Sequence, residues 1–134
     1  MNNNRIEVDD IVGIQYPGFV HVGVYVGPRW FGGPCVVHNS KFGGVILSTL
    51  EEFSGKAQIF IRQKATCLWY QRGEIVQRAL SLLGKKYDLL KFNCEHAAYY
   101  AQRGKAESPQ ISALALIALI IGGTIALGAA NRRT

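Results

Sequence analysis

Val20, Val22, Val24 and Val26 alternate with His21, Gly23 and Tyr25. A period of two sustained over that length reads as a β-strand with two unlike faces. One face is pure valine; the other carries a histidine and an aromatic ring. Before it, residues 10–15 form another strand-like run, and Tyr16-Pro17-Gly18 makes a turn, so the pair reads as a hairpin. Gly27, Gly32 and Gly33 mark Pro28–Pro34 as a loop. Residues 35–40, 45–48 and 57–62 read as further strands. Between the last two, Thr49 and Glu52 have the spacing of a capping box for a short helix ending at Gly55.

The period then changes. Ile75, Val76, Ala79, Leu80 and Leu83 fall at helical spacing within residues 73–83, and Gly84 stops the run. A second helix starts near Asn93, where Cys94, Ala97, Ala98 and Ala101 form one narrow face of small residues. Small side chains there allow close packing on a sheet. The fold class is α+β: an antiparallel sheet followed by helices, residues 1–106 forming the domain.

From Ile111 to Ala130 no residue is charged, although charged residues make up 18% of the whole chain. Ser108-Pro109 has the form of a helix start, and a helix over about 109–130 predicts a length of roughly 33 Å, enough to cross a bilayer core. Residues 107–134 therefore read as a C-terminal transmembrane anchor, and because a polar linker separates its apolar run from the last amphipathic helix, the core should not depend on residues 109–134. Its stripe of Gly122, Ala126 and Ala130 suits weak self-association of such helices. Flanking arginines and lysines on both sides leave orientation open. The first ten residues lack a secretory pattern, which predicts a single-pass tail anchor with a cytosolic domain. Net charge is +6 without a basic block longer than two residues, so specific nucleic-acid binding is not expected. Three widely spaced cysteines, Cys35, Cys67 and Cys94, make no disulfide framework.

Cys94 is the leading candidate for chemistry. It lies at a helix start, where unpaired N–H groups and the helix dipole favour a thiolate, so its pKa should be lowered and the N–H groups could hold an oxyanion. Of the three histidines, His21 lies opposite the valine face, and His38 alternates with Val37 on a strand of its own. Neighbouring strands can present His21 and His38 side by side, and a cysteine packed against that face completes a nucleophile, a base and an orienting group. Cys35 and Cys67 read as small buried hydrophobes. His96 could be half of a zinc site with the other histidines, but positions 94 and 96 diverge by about 200° around a helix. No metal is expected, and His96 reads as structural.

Four segments, Asp10-Ile11-Val12, His21-Val22-Gly23-Val24-Tyr25-Val26-Gly27, Val37-His38-Asn39-Ser40 and Asn93-Cys94-Glu95-His96, resemble the lecithin:retinol acyltransferase-like family, in that order and over about residues 8–104. Ala97 departs from it, since an aromatic usually follows the histidine. The resemblance implies a circularly permuted papain-like (NlpC-type) domain, often followed by a membrane helix. It implies Cys94 as nucleophile, His21 as general base and His38 as the orienting group, with Tyr25 and Asn93 contacting substrate. Members take an acyl chain from a phospholipid onto the cysteine as a thioester and pass it to an amine, an alcohol, another lipid or water, with no cofactor. The expected partners are then a phospholipid bilayer and its acyl chains. Two rival readings are a cysteine peptidase or amidase of related fold and a non-catalytic membrane adaptor of the kind some viruses encode. Lys85, Lys86 and Lys91 before the cysteine helix read equally well as a solvated face or as a headgroup contact.

Overall fold

The computed structural model describes residues 5–30 and 33–132, with the side chains of 29, 30, 69 and 123–132 outside the description. Five strands run β1 (Ile11–Tyr16), β2 (Phe19–Trp30), β3 (Gly33–Ser40), β4 (Gly44–Thr49) and β5 (Phe60–Gln63). They form one sheet in the order β4-β3-β2-β1-β5, every neighbour antiparallel. The helices are α1 (Leu50–Ser54), α2 (Arg72–Ser81), α3 (Cys94–Arg103) and α4 (Pro109–Arg132). This is the expected α+β arrangement. Of the segment expected as a loop at Pro28–Pro34, residues 28–30 instead extend β2 and residues 33–34 begin β3; the two strands pair Gly27 with Cys35 and Trp30 with Gly33 across two shifts of register. The shifts absorb Pro28, which has no N–H to give to a ladder.

The valine face is the core. Val22, Val24 and Val26 are buried against Ile75 and Ala79 of α2 and Ala97, Ala98 and Ala101 of α3. The alanines let α3 lie close to the strands. The opposite face carries a smaller cluster of Val12, Ile14, Val36 and Phe53, the last supplied by α1. That helix begins with the expected capping box, in which Thr49 Oγ1 accepts from Glu52 N and Glu52 Oε1 accepts from Thr49 N.

Two expectations about the C-terminal segment require correction. Among the described residues no helix is long and apolar enough to cross a membrane, so neither a transmembrane helix nor a single-pass membrane location is supported. Ala126 and Ala130 of the small-residue stripe lie outside the described side chains. The start of α4 is also tied into the domain. Gln110 Oε1 accepts from Val20 N at 2.9 Å, its Nε2 donates to Val20 O at 3.0 Å, and Gln110 N donates to Glu95 Oε1 at 2.9 Å. Ser108, expected in a polar linker, is buried and donates to Glu95 Oε1 at 2.8 Å. Removing residues from 109 onward would break the Gln110 bonds, although no described residue of α4 belongs to either core cluster.

Candidate active site

The site lies where β2 and β3 part. Their ladder ends at the pair Gly23–His38, while β2 continues beside β1 to Phe19. Val20 and Val22 thus turn backbone groups toward a vacated strand position, and the N-terminus of α3 enters the gap. Cys94 Sγ donates to Val20 O at 3.9 Å, and the Val22 N–H lies beside the same sulfur. Asn39, at the end of β3, donates to Phe92 O and Asn93 O and so holds the other side of the gap. Helix α3 itself packs on the valine face. Cys94 opens onto the histidines' cavity through the split, and does not pack on their face as its spacing alone suggested.

His21 and His38 lie on the opposite face, on adjacent strands. His21 Nε2 is 2.9 Å from His38 Nδ1, and His38 Nε2 is 2.9 Å from Ser48 Oγ of β4. Gly23 makes this pairing possible, because a Cβ there would lie 2.9 Å from His38 Cβ. The Phe53 ring covers both imidazoles, with centroids 5.4 Å from His21 and 5.0 Å from His38. The cover has an electrostatic result: burial lowers both imidazoles to about 4, His21 adding to the effect at His38. Both rings are therefore neutral at pH 7. A consistent proton assignment runs one way: His21 Nε2–H donates to His38 Nδ1, and His38 Nε2–H donates to Ser48 Oγ. His21 Nδ1 is then the open lone pair.

The expected lowering of the Cys94 pKa is not found. Burial raises it, outweighing the nearby backbone N–H groups of Val22, Glu95 and Cys94. Two of the N–H groups expected as oxyanion donors are also engaged, since Asn93 Oδ1 accepts from Glu95 N and His96 N. The Cys94 and Val22 N–H groups are left nearest the sulfur. His96 is a cap: its Nδ1 accepts from Asn93 N at 3.0 Å. Asn93 donates its amide to Leu89 O and Ser108 Oγ, so its side chain is spent within the protein. Tyr25 packs against the smaller core cluster and lines neither cavity at Cys94.

Cys94, His21 and His38 line one cavity of about 410 Å³, with Tyr16, Phe19 and Tyr87 among its walls. Cys35 and Cys67 lie elsewhere; Cys35 Sγ donates to Gly33 O and Cys67 Sγ to Asp9 Oδ2. Ser48, Phe53, Ser108 and Gln110 were not singled out from sequence. Ser48 had a readable signal, because the short strand at 45–48 places it on the same face as Ile46, toward His38.

A thiol sharing a cavity with a pair of linked imidazoles defines a class: proteins with a cysteine–histidine site. Within that class the chain belongs to the lecithin retinol acyltransferase family, whose model matches residues 4–107. Membership makes it an enzyme of acyltransferase or hydrolase type. No curated protein matches the chain.

Proposed function

We propose that the protein is a thiol acyltransferase or phospholipase A acting on glycerophospholipids through a thioester at Cys94. The observation that carries this reading is the shared cavity of Cys94 and the His21–His38 pair, with His21 Nδ1 unengaged among the described residues. In the resting site both thiol and imidazole are neutral. As Sγ attacks the ester carbonyl, its proton passes to His21 Nδ1, and His38 accepts from the resulting imidazolium at Nε2. The Cys94 and Val22 N–H groups are the available donors for the oxyanion. Collapse breaks the ester C–O bond, and His21 returns the proton to the departing lysolipid alcohol. Water, an alcohol or an amine then gives its proton to His21 and attacks the thioester, releasing the acyl product and the Cys94 thiol.

Lys41 lines the same cavity and supplies a positive charge for a phosphate-bearing leaving group. The test is release of lysolipid from phosphatidylcholine in mixed micelles. Wild-type protein should release it and Cys94→Ala should not. Equal release by both, or by neither, contradicts the proposal.

A further inference from the structure

Cys94 borders two cavities. Besides the histidine cavity, a groove of about 310 Å³ opens on its other side, sharing only Phe19, Tyr87 and Cys94 with the first. One wall is α4, through Ile111, Ala113, Leu114 and Ile117; the other includes Phe19 and Leu89. Ala113, Leu114 and Ile117 follow Gln110 at i+3, i+4 and i+7, so they continue one helix face toward solvent. The two side-chain amides along the groove are already satisfied. The Gln110 amide is bonded at both ends to Val20, and the Asn93 amide to Leu89 O and Ser108 Oγ. The groove therefore offers apolar walls, whereas the histidine cavity carries Glu52, Lys41, Asn39 and the two imidazoles.

We infer that this groove holds the acyl chain of the substrate, so that the first two turns of α4 are a wall of the acyl site and set chain-length preference. The inference rests on the acyl-transfer reading of Cys94. Its logic is directional. The leaving alcohol must lie on the side of His21, which protonates it, and that side bears Lys41. The acyl carbon bonded to Sγ must then extend the other way, into the only other cavity that Cys94 lines among those described. Glu95 fixes the wall in place. It is fully buried, and its Oε1 accepts from Ser108 Oγ and Gln110 N, which holds the start of α4 to the residue after the thiol.

The experiment uses the full chain with p-nitrophenyl butanoate and p-nitrophenyl palmitate in the same detergent micelles. Ala113→Phe fills the groove from an exposed helical position; Ser112→Phe adds the same ring on the opposite side of α4. Ala113→Phe should lower kcat/KM for the palmitate roughly tenfold or more relative to the butanoate. Ser112→Phe should alter neither. Loss of both activities to the same extent in a folded Ala113→Phe protein, or of neither, overturns the acyl groove. Failure of the wild type to cleave either ester overturns the acyl-transfer reading itself and the groove with it.

Discussion

Ser48 is the most informative residue to change, because it acts on the reaction only through His38. Its Oγ lies 2.9 Å from His38 Nε2, and both residues are buried. Ser48→Ala leaves the His38 Nε2–H in the interior without an acceptor, which costs about 1–3 kcal/mol. Moving the proton to Nδ1 exchanges that unpaired donor for an unpaired acceptor and relieves part of the cost. There the proton faces His21 Nε2 at 2.9 Å, so His21 must become the acceptor and carry its own proton on Nδ1. That is the nitrogen needed to take the thiol proton. The productive tautomer is then disfavoured by part of that energy, so kcat/KM for ester cleavage should fall, by up to about 150-fold. Ser48→Thr keeps a hydroxyl and should restore most of the rate. The assay has two readouts: kcat/KM, and the ¹⁵N shifts of the His38 ring, which should move from an Nε2–H to an Nδ1–H pattern in Ser48→Ala alone. A folded Ser48→Ala protein with wild-type kcat/KM and an unchanged His38 tautomer would refute the proton assignment.

Three further outcomes follow from the same geometry. Because burial raises the Cys94 thiol, iodoacetamide labelling of Cys94 should be slow at neutral pH and still rising above pH 9; a plateau between pH 5 and 8 would reveal a preformed thiolate–imidazolium pair. His38→Gln can accept from His21 and donate to Ser48 and should keep measurable activity, whereas His21→Gln should lose several orders of magnitude; the reverse ranking would exchange their roles. Asp9 is fully buried and its carboxyl is raised from 3.8 to about 6, chiefly by that burial, so the folded state holds a proton that the unfolded chain gives up near 3.8. Its contribution to stability is complete below pH 4 and lost as pH rises through 6, by about 3 kcal/mol. Asp9→Asn should therefore raise the urea midpoint relative to wild type at pH 8 and not at pH 4, and an equal effect at both values would show that Asp9 does not titrate in this window.

The sequence made the sheet readable because alternation in β2 is a local property, and the pairing of His21 with His38 required only that β2 and β3 be neighbours. The capping box at Thr49 was an equally local signal, fixed by one side chain and the next few N–H groups. What was not legible depends on residues far apart in the chain. The split between β2 and β3 arises because Asn39, Cys94 and Gln110 take over bonding along the vacated strand edge, and no spacing rule reports that. The same applies to the Cys94 pKa. A helix start lowers a thiol, but the depth at which α3 is buried was unknown, and burial prevails. The run after Ser108 was misread for a related reason: hydrophobicity without periodicity suggested lipid, while Gln110 and Ser108 bind its beginning to Val20 and Glu95.

The central claim is that Cys94 carries an acyl group during turnover. Brief incubation of the full chain with phosphatidylcholine, acid quench and peptide mass analysis test it directly. The account predicts an increment of one fatty acyl group on the peptide containing Cys94, absent in Cys94→Ala and reversed by hydroxylamine. Turnover of the lipid with no acyl increment at any time, or with the increment on Cys35 or Cys67, would contradict it.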